Sequence, residues 1–190
     1  MSDTARTESI LWRRLDSPGH DACRLVERDG AWRLEGAAAF MHDGVPTSLA
    51  YEIACDADWR TTVGEVHGWI GPRALDFRVT RTPDGGWTLN DRIVPDLGGC
   101  VHLDLGFTPA TNLAQLRHAA LRIGEVADVP VAWLDVVAGT LDLLQQRYER
   151  RSEETYWYEA PRFDYFALLR VDDAGFVEQY PGLWEAERAT

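Results

Sequence analysis

The chain has 190 residues, enough for one domain with a sizeable core, and carries 19 basic side chains against 31 acidic ones. The resulting net charge of -12 argues against binding to nucleic acid or to an anionic membrane, because like charges repel. Every basic side chain is an arginine, which excludes Schiff-base and P-loop chemistry, since both need a lysine.

Turn signals recur at short intervals, among them Asp29-Gly30, Asp43-Gly44, Gly71-Pro72 and Asp173-Ala174-Gly175. This spacing is typical of antiparallel strands joined by hairpins. The intervening segments predict strands at 23–28, 31–40, 48–55, 60–70, 75–81 and 100–105. The polar N-terminus has no apolar leader, and no run of about 18 to 20 apolar residues predicts a membrane span.

The segment 98–112 is an apolar strand that runs into a polar turn containing Pro109. His102 and Asp104 are two residues apart, so on a strand they share a face and could bind a metal or form an acid–base pair. One histidine and one carboxylate make an incomplete site, and the other histidines lack HxH or HExxH spacing. We therefore predict neither a metal nor another cofactor. A short helical turn is expected at 112–118, after Pro109.

The segment 134–151 fits two structures. Its apolar residues recur at helical spacing, but Gly139-Thr140 interrupts the pattern and Val136-Val137 is β-branched. Strand-like sequences follow at 155–158 and 163–171. We predict strands for 134–151.

A single domain is expected over 9–186, with disordered ends at 1–8 and 187–190. The three cysteines, Cys23, Cys55 and Cys100, are odd in number and lack CxxC spacing. They predict buried free thiols in a reducing compartment, so we expect a cytoplasmic protein.

The chain carries eight tryptophans, six tyrosines and six phenylalanines. Such rings suit pockets for sugars or acyl chains, and they equally suit the core of a β protein. Arg60 and Arg117 could hold a ligand's phosphate or carboxylate, or could be surface arginines that balance an acidic chain.

One ordered pattern runs through the second half of the chain. It consists of Gly98-Gly99-Cys100, Asp104, Thr108-Pro109-Ala110-Thr111-Asn112, Gln146-Arg147-Tyr148, Phe163, Val171-Asp172, Gly175-Phe176-Val177 and Tyr180-Pro181-Gly182-Leu183. In that order and spacing the chain resembles the glycolipid-binding protein family of bacteria. The resemblance implies an all-β, single-domain spiral β-roll, a curved antiparallel sheet of many sequential strands with at most short helical turns. The match is most specific over 87–184, and the chain departs from the family after Asn112, where Arg117 keeps the basic position.

The leading hypothesis is a non-enzymatic protein that binds an amphipathic small molecule such as a glycolipid. The residues predicted to face the ligand are Trp59, Arg60, His102, Asp104, Thr108, Asn112, Arg117 and Tyr148. One alternative is a sugar- or lipid-modifying enzyme that uses His102 and Asp104. Another is a protein-interaction module with an exposed apolar patch or strand edge. The enzyme ranks below the binder because no catalytic constellation is complete.

Overall fold

The computed structural model describes residues 7–188. It is 58% strand and 6% helix, which confirms the predicted all-β class. A curved, open antiparallel sheet contains fourteen strands, and a second sheet contains three.

The first half of the large sheet is a meander of long hairpins. Its strands are β1 (Thr7–Arg14), β2 (Gly19–Arg28), β3 (Ala31–His42), β4 (Val45–Cys55), β5 (Thr61–Ile70), β6 (Arg73–Arg81), β7 (Trp87–Leu89) and β8 (Arg92–Val94). Two of its turns show why the sequence reverses there. Asp29 and Gly30 have φ of 53° and 73°, and Asp43 and Gly44 have 46° and 79°. A two-residue hairpin turn with both φ values positive favours aspartate followed by glycine, as the sequence predicts.

The small sheet and one helix lie between the two halves in sequence. They are β9 (His102–Asp104), α1 (Asn112–Ala119), β11 (Val131–Asp135) and β12 (Thr140–Leu144). The remaining strands belong to the large sheet. They are β10 (Val126–Asp128), which precedes β11 in sequence, and then β13 (Arg147–Arg150), β14 (Thr155–Ala160), β15 (Tyr165–Val171), β16 (Val177–Tyr180) and β17 (Trp184–Ala186), with a 3-10 turn at Pro161–Phe163. Strand β17 pairs with β1, so both halves join in one sheet.

Two predictions about local structure are confirmed. The helical turn expected at 112–118 is α1, and the segment 134–151 forms strands. Gly139 has φ of 70°, and the Asp135 carboxylate accepts hydrogen bonds from the backbone amides of Val137 and Ala138 at 2.9 and 3.0 Å. These features form a turn between β11 and β12, and a continuous helix could not hold them.

The small sheet packs on the inner face of the large sheet. Leu103 of β9 lies so close to Gly64 of β5 that a Cβ at Gly64 would collide with the leucine side chain. The backbone amide of Leu103 donates to the Thr61 hydroxyl at 3.1 Å, and that of Thr61 donates to the Val101 carbonyl at 3.0 Å. The core therefore lies between the curved sheet and the β9 region.

The turns of an antiparallel sheet collect at its two ends. The "Phe163 end" holds the turns that follow β1, β3, β5, β14 and β16, as the pairings Arg14–Trp184, His42–Val45 and Ile70–Arg73 show. The "Trp59 end" holds the turns at 29–30, 56–60, 82–86, 151–154 and 172–175.

The expectation of disordered ends falls largely on 1–6 and 189–190, which lie outside the described residues. Thr7 and Glu8 belong to β1, and the amide of Glu187 donates to the carbonyl of Leu11 at 2.8 Å. Within 7–188 there is no helix long and apolar enough to cross a bilayer.

Candidate functional site

A cavity of about 330 Å³ opens at the Phe163 end, and we call it the Asp104 cavity. Its polar lining comes from Asp104, Thr108, Asn112 and Gln146, and its aromatic lining from Trp133, Tyr158, Phe163, Tyr165, Tyr180 and Trp184. The sequence predicts three of these polar residues as ligand contacts. The described residues that line the cavity include no cationic side chain.

Asp104 lies where β9 ends and is 6% exposed. Its carboxylate accepts hydrogen bonds from the Gly106 amide at 2.8 Å and from the side-chain amides of Gln115 and Gln146, each at 3.1 Å. Burial raises the pKa of Asp104, and these hydrogen bonds oppose the rise. The group is held in one orientation, where its free lone pairs or its proton can meet a ligand hydroxyl.

Behind the cavity wall a chain of hydrogen bonds orients the amides. The side-chain nitrogen of Asn112 donates to the Tyr148 hydroxyl at 2.6 Å, and that hydroxyl donates to the Gln115 carbonyl oxygen at 2.7 Å. Gln115 must then present its amide nitrogen to Asp104. Tyr148 is fully buried, so it supports the site and does not line it.

Thr108 is held by a second buried network. Its hydroxyl donates to the Asp21 carboxylate, the Tyr51 hydroxyl donates to the same carboxylate at 3.0 Å, and the Ala110 amide donates to Thr108 at 3.0 Å. Burial raises the pKa of Asp21 to about 6. Thr108 is therefore fixed on the cavity wall by residues of β2 and β4.

A second cavity of about 400 Å³ adjoins the first, and we call it the Phe107 cavity. Its apolar lining is Phe40, Ile70, Leu105, Phe107, Leu134, Val136 and Val137. Four ionisable side chains, all partly or fully exposed, also line it: Arg14, His42, Asp43 and Asp135. Both cavities are lined by Gly106 and Trp133. Gly106 has φ of 46°, and a Cβ there would overlap the Trp133 indole, so both the backbone and the space require glycine. The indole nitrogen is buried without a hydrogen-bond partner among the described residues.

Two arginines contact the aromatic walls: Arg14, which lines the Phe107 cavity, and Arg162, which lines neither cavity. The Arg14 guanidinium lies 4.6 Å from the Phe40 ring centroid and 5.5 Å from that of Trp184, and it bonds Asp16 at 2.6 Å. Arg162 lies 4.8 Å from the Trp133 ring centroid. These cation–π contacts hold the aromatic walls in place.

A larger depression of about 730 Å³ lies along β1, β2, β3 and β17. It is broad and open, and Arg24, Glu35, Glu178 and Arg188 contribute to its lining. These side chains pair among themselves, Arg24 with Glu35 and Arg188 with Glu178. The depression lacks the fixed buried polar groups of the Asp104 cavity.

Trp59, Arg60 and Arg117 lie at the Trp59 end, apart from the Asp104 cavity. Trp59 stacks on Trp32 with ring centroids 4.2 Å apart, and the Arg117 guanidinium is 6.0 Å from the Trp59 centroid. A cavity of about 200 Å³ adjoins them. Arg60 instead pairs with Asp58 at 3.0 Å. Trp59 and Arg60 lie away from the other predicted ligand contacts because the loop at 56–60 is at the far end of β4 and β5. Arg117 lies there because it is in the last turn of α1, where the neighbouring His118 contacts the Asp58 carbonyl at 2.7 Å.

His102 is fully buried and does not line either cavity at the Phe163 end. Like Asp104 it faces α1, but its ring contacts His118, centroids 5.0 Å apart, whereas Asp104 contacts Gln115. Burial, together with the positive charges of His118, Arg81 and Arg60, lowers the pKa of His102 to about 3. The two side chains therefore do not meet at a common cavity.

The remaining candidate chemistry is metal binding and thiol chemistry. In the described part of the chain no group of three or more His, Cys, Asp or Glu side chains could hold a metal. The three cysteines are free and buried, and burial raises the pKa of Cys100 to about 11 and that of Cys55 to about 12. Reactive thiols have the opposite shift.

Several site residues were not predicted: Asp21, Tyr51, Gln115, Trp133, Gln146, Tyr158, Tyr165 and Tyr180. One carried a signal, because Asp21 has the same strand parity as the apolar Cys23 and Leu25. An acid on an inward face indicates a partner there. Gln146 and Tyr180 stand in the family pattern, whereas Gln115, Tyr51, Tyr158 and Tyr165 carry no such signal.

Comparison with known proteins supports the fold and the family. The crystal structure of a DUF1089 family protein from Pseudomonas aeruginosa matches with a TM-score of 0.70 and 24% identity, covering 95% of this chain and 91% of that one. This likeness shows the fold alone. Among curated proteins the comparison found no match. A family model described as "Putative glycolipid-binding" matches residues 9–186, and the chain therefore belongs to this glycolipid-binding family.

Proposed function

We propose that the protein binds an amphipathic molecule such as a glycolipid, with the polar head in the Asp104 cavity and the apolar chain in the Phe107 cavity. The observation that carries the proposal is the junction at Gly106 and Trp133. There, a cavity with buried, oriented polar groups meets one walled mainly by aliphatic and aromatic side chains, whose ionisable lining residues are partly or fully exposed. One ligand with two chemically different parts matches that arrangement. The family's description supports the same class of ligand.

The lining of the Asp104 cavity supports an uncharged, hydroxyl-rich head. Asp104, Asn112, Thr108 and Gln146 offer fixed donors and acceptors, and no cationic side chain among the described lining residues faces a phosphate. The tyrosine rings form a continuous wall, with centroids 5.6 Å apart for Tyr158–Tyr180 and 5.3 Å for Tyr165–Tyr180. Aromatic rings with polar edges suit the apolar faces of sugars.

The Phe107 cavity supports an acyl or alkyl chain. Its volume of about 400 Å³, added to the adjoining 330 Å³, lies in the range of small-molecule pockets, which is roughly 300–1,000 Å³. Burying a chain there releases apolar surface from water, worth about 0.8 kcal/mol for each methylene group. The chain length then sets much of the affinity.

We place this binding in the cytoplasm. The support is that Cys23, Cys55 and Cys100 are free thiols, as expected in a reducing compartment. Their burial also protects them from oxidation.

Isothermal titration calorimetry with octyl glucoside, kept below its critical micelle concentration, tests the proposal. Val137→Asp places a charge in the chain cavity and should weaken binding by about tenfold or more. The matched control is Leu143→Asp, on the neighbouring β12 and equally exposed but outside both cavities, and it should bind like the native protein. Absence of binding to the native protein, or equal loss in both variants, would contradict the proposal.

A further inference from the structure

Exposed apolar side chains collect at the Phe163 end. Leu15, Val45, Val137 and Phe163 are each between 37% and 51% exposed, and all lie on or next to the turns of that end. We call these four residues the apolar rim. Single exposed apolar side chains are ordinary on protein surfaces, but a group of four beside two adjoining cavities is not.

The Trp59 end shows that this is not a general property of the turns. Its turns are Asp29-Gly30, 56–60, 82–86, 151–154 and 172–175, made mainly of Asp, Glu, Gly, Arg and Thr. Two large aliphatic side chains on that side are exposed, Ile123 in the loop after α1 and Val126 at the start of β10. The contrast between the ends indicates a selective role for the apolar rim.

The rim is continuous with the cavities. Phe163 lines the Asp104 cavity and Val137 lines the Phe107 cavity. The amide of Leu15 donates to the carbonyl of Leu183, which also lines the Asp104 cavity. A surface that covered the rim would therefore cover both openings.

The arginines beside the rim are already engaged, and the exposed Asp43 and Asp164 next to it have no arginine partner among the described residues. Arg14 bonds Asp16 at 2.6 Å, Arg162 is 3.7 Å from Asp142, and Arg73 donates to the Val136 carbonyl at 3.1 Å. No basic excess is available to attract an anionic surface, and the chain carries a net charge of -12. A partner for this rim must be apolar and without net negative charge.

We propose that the apolar rim docks on the surface of a lipid bilayer without net charge, so that an amphipathic ligand passes between the bilayer and the cavities. This inference rests on the proposed function, because docking of the rim would deliver the ligand to the same two cavities. Amphipathic ligands reside in bilayers, and docking spares their chains an exposure to water. Insertion of several apolar side chains at the interface is sufficient for reversible binding.

Flotation with phosphatidylcholine vesicles tests the inference. The double variant Leu15→Ser with Val45→Ser removes rim side chains that line neither cavity. Its vesicle binding should fall by about tenfold relative to the native protein. The matched control is Phe166→Ser with Leu168→Ser, which removes two similarly exposed apolar side chains from the outer face of β15 and should leave vesicle binding unchanged.

Three results would overturn the inference: no flotation of the native protein, equal flotation of the two double variants, or flotation only with phosphatidylglycerol vesicles. The first would leave a protein partner as the occupant of the rim. Octyl glucoside monomers separate this inference from the proposed function, since they reach the cavities without a bilayer. Their binding by the rim variant, together with a native circular dichroism spectrum, would also show that the variant is folded.

Discussion

Asp104 and His102 lie two residues apart on β9, and both are buried against α1. Asp104 points to the Phe163 end, where three donors hold it beside a cavity. His102 points toward the Trp59 end, where neither ring nitrogen has a hydrogen-bond partner among the described residues. The same strand face thus carries Asp104, a polar group held in one orientation beside a cavity, and His102, a buried group without a hydrogen bond among the described residues.

The difference shows that burial alone does not define a site. Hydrogen-bond donors fix the orientation of a buried carboxyl group, and a carboxyl group in a fixed orientation can bind a ligand. A buried imidazole without partners costs stability, and its pKa moves away from the range useful for acid–base work. Changes at the two ends should therefore have different effects on stability and on its pH dependence.

The largest effect is expected from Asp104→Ala. The substitution leaves the Gly106 amide and the amides of Gln115 and Gln146 without an acceptor, so the free energy of unfolding should fall by about 3 to 5 kcal/mol. Urea denaturation at pH 7 measures it. Asp104→Asn keeps the shape and one acceptor oxygen and should lose less than half as much. Equal losses would show that the hydrogen bonds are not the cause.

The next effect is expected from His102→Phe, measured as stability against pH. The unfolded chain binds a proton at His102 below pH 6.5, whereas the folded protein resists it down to about 3. Native stability is therefore lost as the pH falls through this window. The variant should be more stable than the native protein by about 3 kcal/mol at pH 4, and the gain should shrink toward pH 7.

The His102 comparison also has a clear contrary outcome. Parallel stability curves for the variant and the native protein between pH 7 and pH 4 would mean that His102 protonates normally in the fold. His67→Phe is the control, because His67 is exposed beside Asp76 and its replacement should not reproduce the gain at low pH.

A smaller effect is expected from Thr108→Val at the Phe163 end. It removes a donor to Asp21, so the pKa of Asp21 should rise above about 6 and the free energy of unfolding should fall by about 1 to 2 kcal/mol. Because the pKa of Asp21 is higher in the folded protein than in the unfolded chain, protonation of Asp21 stabilises the fold. This stabilisation is fully present below pH 3.8 and is lost as the pH rises through the folded-state pKa. Carboxyl NMR titration measures the shift. Thr62→Val, at an exposed threonine, should change neither quantity.

The smallest effect is expected from Arg60→Ala at the Trp59 end. Its ion pair with Asp58 is exposed, so the free energy of unfolding should change by about 0.5 kcal/mol or less. Removing this positive charge should raise the pKa of His102 slightly, since Arg60 is one of the charges that lower it. An imidazole NMR titration measures the direction. A fall in that pKa would contradict the placement of Arg60 near His102.

Much of the fold could be predicted because its signals are local. Asp29-Gly30 and Asp43-Gly44 mark hairpins by their backbone preference, and Gly139 with Asp135 breaks the helical pattern of 134–151. The spiral β-roll implied by the family resemblance stays a prediction. The set of site residues was predicted only in part, because hydrogen bonds such as Tyr148 to Gln115 join residues far apart in the chain.

The sequence by itself determined the all-β class, the hairpin order, the free cysteines, and Asp104, Thr108 and Asn112 as neighbours of one turn. Only the tertiary structure decided at which end of the curved sheet Asp104, Thr108 and Asn112 line a cavity. Strand alternation fixes the face of a side chain, but the end to which it points depends on packing between distant strands. That packing separated His102 from Asp104, placed Trp59 and Arg117 at the far end, and brought Trp133 to Gly106.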